Sequence, residues 1–244
     1  MLKKITFVLL TIIAISPSNA QNWWGKNKTI KGNGNVVTVK RTISNYDGIS
    51  AGGSFDVILV KGKEGEIEIE GEENIIPYLE TEVRGNTLQV KYKKNTNIST
   101  RKKLTVTVAY EDLDMISLGG SGNINGENLI KANDLKVSLG GSGNIALQID
   151  ADEISADIGG SGNIKLTGNS NELTSSIAGS GSIKAYDLET EILVATIAGS
   201  GSIKTTVKKE IKAKVAGSGS IYYKGTPKYI DTKSVGSGDV IDKN

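Results

Sequence analysis

Leu139-Gly140-Gly141-Ser142-Gly143-Asn144-Ile145 recurs with small changes through the second half of the chain. The triplets are Gly120-Ser121-Gly122, Gly141-Ser142-Gly143, Gly160-Ser161-Gly162, Gly179-Ser180-Gly181, Gly199-Ser200-Gly201, Gly217-Ser218-Gly219 and Gly236-Ser237-Gly238. Successive serines lie 18 to 21 residues apart. A period near 20 held over seven copies is the signature of a solenoid. Leu118, Leu139, Ile158, Ile177, Ile197 and Val215 precede the triplets, separated from them by one Gly or Ala. Ile124, Ile145, Ile164, Ile183, Ile203, Ile221 and Val240 follow, each behind one Asn, Ser or Asp.

Residues two apart share one face of a strand, so each copy reads as strand, glycine turn, strand. Glycine is needed where φ is positive or where neighbouring turns stack about 4.8 Å apart. Seven layers at that spacing make a rod on the order of 30 Å long, with the isoleucine columns as its dry interior. The serines and the Asn/Ser/Asp column beside them can bond the backbone or their counterparts one layer away. In the last copy Val235 directly precedes Gly236, as if the small spacer were missing, and Tyr222, Tyr223 and Tyr229 are candidates to cover that end. The opposite turn of each coil shares no sequence, the freedom expected of binding loops. Lys165, Lys184 and Lys204 take equivalent outward positions in three consecutive copies, a candidate binding stripe about 10 Å long.

The chain opens with Lys3 and Lys4, an apolar run from Ile5 to Ile15, Pro17, and Ser18-Asn19-Ala20. This is the pattern of a secretory signal peptide over residues 1–20, too short to span a bilayer. Without Lys3 and Lys4, basic and acidic residues balance at 27 each, so no basic excess points to nucleic acid. Residues 21–35, polar and glycine-rich around Trp23 and Trp24, read as a flexible tail. A β-rich half follows over 36–115, with strands at Val36–Ile43, Ser54–Val60, Glu66–Glu70, Leu88–Tyr92 and Leu104–Ala109. Glu72 to Leu79, interrupted by Pro77, is the one plausible helix. The outward faces Glu66/Glu68/Glu70 and Lys91/Lys93 are expected to pair across strands. The Gly-Ser-Gly solenoid then occupies 116–244.

No histidine and no cysteine occur, which removes the commonest general base, thiol catalysis, disulfides and the usual zinc ligands. The triplets do not fit the G-x-S-x-G nucleophile elbow, and Gly32-Asn33-Gly34 is a poor dinucleotide loop. No cofactor, metal site or catalytic residue is therefore expected. The enzymatic alternative is a polysaccharide lyase using Asp150, Asp152, Glu153 and Asp157. Against it stand the solvated-turn reading of those carboxylates and the lack of long insertions that build a substrate groove.

Ile49-x-x-Gly52-Gly53-Ser54-Phe55-Asp56-Val57, Glu73-Asn74-Ile75-Ile76, Asn86-Thr87-Leu88 and the repeated Gly-x-Asn-Ile at Gly122, Gly143 and Gly162 resemble the auto-transporter adhesin "head GIN" domain family. The resemblance runs from about Ile43 to near Val240; Ser182, Ser202 and Ser220 depart from its Asn. It implies an all-β, parallel β-helix, right-handed and pectin-lyase-like, with Gly-Ser-Gly as the tight turn. It also implies a non-enzymatic adhesion or binding protein exported by a Bacteroidetes-type, Gram-negative bacterium to the periplasm or outer surface. Its partner is expected to be a surface glycan or protein. The other reading is an envelope component that self-associates as a homo-oligomer.

Overall fold

Alternating apolar residues oblige each strand to bury one side, and a glycine turn brings the next strand back over that side. In the computed structural model, which describes residues 29–244, the outcome is a β-solenoid of about seven stacked parallel turns, about 19 residues each. The strands are β1 (Thr29–Lys31), β2 (Val36–Thr42), β3 (Gly48–Gly53), β4 (Asp56–Lys61), β5 (Glu66–Glu72), β6 (Leu79–Arg84), β7 (Thr87–Tyr92), β8 (Asn97–Ser99) and β9 (Thr105–Tyr110). They continue as β10 (Met115–Gly120), β11 (Asn123–Gly141), β12 (Asn144–Gly160), β13 (Asn163–Gly179), β14 (Ser182–Gly199), β15 (Ser202–Gly217), β16 (Ser220–Lys224), β17 (Tyr229–Gly236) and β18 (Val240–Asp242).

Each of β11 to β15 runs round most of a coil, so its start and end belong to different faces. The first face stacks β3, β10, the ends of β11 to β15, and β17. The second face stacks β4, the starts of β11 to β15, β16 and β18. Ile124, Ile145, Ile164, Ile183, Ile203 and Ile221 fall in register as one inward column, each at most 1% exposed. Leu118, Leu139, Ile158, Ile177, Ile197 and Val215 face them from the first sheet.

The two glycines of a triplet are required for different reasons. Gly160 has φ +138°, and a Cβ there would sit 2.4 Å from the carbonyl oxygen of Gly141 one layer below. Gly162 lacks a positive φ, but its Cβ would lie 2.3 Å from the Gly143 oxygen and 2.6 Å from Leu139 Cδ2. Most turn carbonyls accept two bonds from the next layer: Ser161 N–H and Gly162 N–H both donate to Gly141 O, at 2.9 and 3.0 Å.

The ladder extends into the first half. Gly53 lies opposite Gly120, Asp56 opposite Asn123 and Val57 opposite Ile124, so Gly53-Ser54-Phe55 forms a further turn. Phe55 fits where later coils need glycine; its ring packs edge-on against Tyr92, 5.5 Å away. Layer order then departs from chain order: β7 and β9 lie outside β3 and β4, and β6 and β5 pair antiparallel with them. β2 pairs antiparallel with β5 as the outermost strand. Arg41 of β2 donates to the carbonyls of Ile76 and Leu79 and to Thr81 Oγ1, tying the edges of both faces together. One buried apolar cluster runs from Tyr46 to Tyr223.

Several expectations are corrected. Between Glu72 and Leu79 only a 3-10 turn forms, Ile76–Tyr78, because Pro77 lacks an N–H and Ile75, Ile76 and Leu79 are drawn into the core. The expected tail is ordered from Thr29: β1 pairs with β8, and Asn74 and Glu72 supply partners to Asn33 N–H and Gly34 N–H. Residues 1–28, including the leader pattern, Trp23 and Trp24, lie outside the described residues. Glu66, Glu68 and Glu70 lie between β2 and β9, where Glu66 pairs with Lys40 at 2.8 Å; Lys91 sits by Glu82 and Lys93 over Tyr78. In the last coil Val235 stands opposite Ala216 and is 76% exposed, while Ser234 takes the inward place opposite Val215. Tyr223 is buried, but Tyr229 is 70% exposed and covers nothing.

Glu72, 1% exposed, anchors the ordered N-terminal segment. It accepts Gly34 N–H at 2.6 Å, Arg101 N–H at 2.8 Å and Lys102 N–H at 3.3 Å. Burial pushes its carboxyl up, but those three N–H donors and the Arg101 charge outweigh burial and hold it below the usual range. A depressed value contributes stability that is present above the unfolded value of about 4.3 and lost as pH falls through the folded one. Denaturant unfolding should show the parent more stable than Glu72→Gln at neutral pH, the two converging as the pH drops through that window. A gap independent of pH would contradict this role.

Candidate binding face

On the second face the outward side chains form columns across the layers. Lys165, Lys184 and Lys204 are direct neighbours in register, and Tyr222 is next in the same column. Leu166 has no cross-strand partner on β14, an irregularity between Lys165 and Thr167 that lets Tyr186 turn outward beside the column. Lys224 Nζ lies 5.0 Å from the centre of the Tyr186 ring and Lys243 Nζ 5.5 Å from that of Tyr222. Burial first, then the closeness of Tyr222, pushes the Tyr186 phenol up. The result is five lysines interleaved with two half-buried tyrosines, bordered by the exposed Asp187.

Among the described residues, none of Lys165, Lys184 and Lys204 takes part in a salt bridge. On the neighbouring part of these coils Lys208 pairs with Glu189 at 2.5 Å, Lys209 with Glu191, and Lys212 with Glu210 at 2.8 Å, whereas Lys131, Lys136 and Lys214 take part in none of the salt bridges among the described residues. Three lysines stacked in consecutive layers without ion-pair partners give a locally positive surface that an anion relieves. Tyrosine rings flanking it offer flat apolar area with a polar tip.

The variable edge differs. A shallow groove of about 360 Å³ crosses it, lined among others by Lys131, Asp150, Asp152, Glu189, Glu191 and Lys208; Lys208 pairs with Glu189 within it, and Glu191 pairs with Lys209 beside it. Of the carboxylates considered for a lyase, Asp150, Asp152 and Glu153 are exposed, Asp157 is half-buried, and Asp152 accepts Asn171 Nδ2 at 2.8 Å. Among the described residues no group of three or more His, Cys, Asp or Glu is placed to hold a metal.

The Gly-Ser-Gly serines, Ser121, Ser142, Ser161, Ser180, Ser200, Ser218 and Ser237, form an exposed row along one edge. Their neighbours bond across layers: Asn163 Nδ2 donates to Asn144 and Asn144 Nδ2 to Asn123, both at 2.9 Å, and Asn123 Nδ2 to Asp56 at 2.7 Å. Ser182 and Ser202 continue the column at 2.9 Å. The lysine column is legible in the sequence, whereas Tyr186, Tyr222, Lys224 and Lys243 join it only in the structure. Tyr222 was within reach, because it follows Ser220-Ile221 as Lys204 follows Ser202-Ile203. Tyr186 was not, because the irregularity takes it out of step with the other copies.

A family model described as "Putative auto-transporter adhesin, head GIN domain" matches residues 45–227. No curated protein sequence matches the chain. Among solved structures, a "putative adhesin" from Bacteroides fragilis superposes with a TM-score of 0.84 at 26% identity, covering 88% of this chain and 100% of that one. A "putative adhesin" from Parabacteroides merdae gives 0.72 at 26% identity, covering 88% and 99%. A "putative lipid binding protein" from Parabacteroides distasonis gives 0.75 at 28% identity, covering 89% and 100%.

Proposed function

Because the chain belongs to the auto-transporter adhesin head GIN domain family, we propose that it is a non-catalytic binding protein whose lysine–tyrosine face holds an acidic glycan. The observation that carries this reading is the column Lys165, Lys184 and Lys204, in register and without ion-pair partners. Adjacent layers repeat at about 4.8 Å. A polymer bearing a carboxylate on every sugar can therefore meet several lysines along one line, with tyrosine rings beside it for the sugar faces. The absence of histidine and cysteine from the sequence favours binding over catalysis.

Export to the periplasm or outer surface belongs to the same proposal. It is supported by the leader pattern from Lys3 to Ala20 and by the likeness to Bacteroides and Parabacteroides proteins called adhesins. Fractionation of the producing cells, with external protease added to intact cells, separates surface from periplasm; recovery in the cytoplasm overturns the export reading.

Polygalacturonate and uncharged dextran serve as probes in titration calorimetry. Binding is expected for the polyanion alone and should weaken as salt rises from about 0.05 to 0.5 M, over which the screening length falls well below the length of the stripe. Equal binding to both polymers, or none to the polyanion at low salt, counts against the proposal.

A further inference from the structure

The two ends of the stack differ. At the N-terminal end the last strands, β2 and β6, run antiparallel to their neighbours, and Arg41 of β2 donates across the gap to the Ile76 and Leu79 carbonyls and Thr81. At the other end β17 pairs only with β15 and β18 only with β16, so their outer rims carry unpaired backbone groups. Such an edge is a template for another strand unless charge, proline or a covering segment blunts it. Every residue of β17 is exposed. Five large hydrophobic side chains are exposed among the described residues, and three lie here: Tyr229 at 70%, Ile230 at 49% and Val235 at 76%.

Reversed on itself, β17 is complementary in its charges and in one apolar pair. Antiparallel pairing centred on Thr232 sets Tyr229 opposite Val235, Ile230 opposite Ser234, and Asp231 opposite Lys233 of the second copy. Opposite charges and apolar pairs facing one another are the arrangements that stabilise neighbouring antiparallel strands. Within its own chain Lys233 stacks beside Lys214, a like charge, and a second copy's Asp231 supplies the missing anion. We infer that the C-terminal end of the solenoid is a two-fold interface, in which β17 of one copy pairs antiparallel with β17 of another.

Because β17 meets β17, the contact is isologous and generates a closed dimer and not a head-to-tail filament. The two-fold contact brings two lysine–tyrosine faces into one assembly. A polymer long enough to reach both faces then gains the avidity that linked sites give. The inference rests on the open edge and stands whether or not those faces bind a glycan.

The test is molar mass by light scattering across a wide concentration range. The parent is expected to rise from one to two chain masses. Asp231→Lys alone sets lysine against lysine, and Lys233→Asp alone sets aspartate against aspartate; each should weaken dimerisation at least tenfold. An equimolar mixture of the two variants, or the double variant Asp231→Lys/Lys233→Asp, should restore it. Both positions are exposed, and unchanged circular dichroism and melting temperature confirm that the variants are folded. A parent that stays monomeric, single variants that dimerise as the parent does, or a mixture that stays monomeric overturns the inference.

Discussion

Gly160→Ala should lower the melting temperature by about 6–12 °C, whereas Gly159→Ala, one residue away, should leave it nearly unchanged. At Gly160 the new Cβ meets two penalties, a left-handed φ of +138° and a carbonyl oxygen 2.4 Å away. That oxygen is backbone, held by bonds from Ser161 and Gly162, so it cannot swing aside as a side chain would. Strained φ and overpacking together cost roughly 3 kcal/mol or more, and about 1 kcal/mol shifts the midpoint of a domain this size by about 2–4 °C. At Gly159 no atom lies within 4 Å of the added carbon, and Ala178, Ala198 and Ala216 occupy the same place in later coils. Thermal unfolding of the two variants side by side checks the contrast. Equal losses would mean that the turn tolerates or rejects a Cβ for reasons other than stacking.

Ile164→Ala is expected to cost about 2–5 kcal/mol, the range for truncating a large side chain in a closed core. Ile164 is 0% exposed, with Ile145 and Ile183 in the layers on either side. Three methylene-sized groups lost there leave a void whose walls are backbone-bonded layers, which limits collapse. The apolar cluster is continuous from Tyr46 onward, so the loss should be shared by the whole stack. Hydrogen exchange should show protection falling together in β4 and β16; loss confined to the adjoining coils would mean that the layers unfold separately.

The coils themselves were legible because one requirement repeats in every layer: no Cβ at the turn, an apolar residue two positions to either side. The lysine column was legible for the same reason, since residues at a fixed offset from a repeated turn must stack. What escaped was whatever breaks the period. Phe55 replaces a glycine, which hid the turn at Gly53-Ser54-Phe55, and the fifty-odd residues between β4 and β10 separate that coil from its neighbours. Chain order gave no sign that β7 and β9 lie outside β3 and β4. The alternation of Glu66, Glu68 and Glu70 identified a strand but not its partner, because complementary charge was available from Lys40 as well as Lys91. In the last coil Val235 was misplaced by one position, and only the pairing with Ala216 shows that Ser234 points inward.

The exposed serine row and the lysine column lie on different parts of the same coils, so they can be altered independently. Polygalacturonate binding should therefore be measured at low salt for the parent, for Lys165→Gln/Lys184→Gln/Lys204→Gln, and for Ser142→Ala/Ser161→Ala/Ser180→Ala. The lysine variant is expected to lose roughly 5- to 150-fold in affinity, since each of the three charges next to a polyanion is worth of order a few tenths to 1 kcal/mol. The serine variant should bind as the parent does. Undiminished binding by the lysine variant, or loss confined to the serine variant, would contradict the assignment of the binding face.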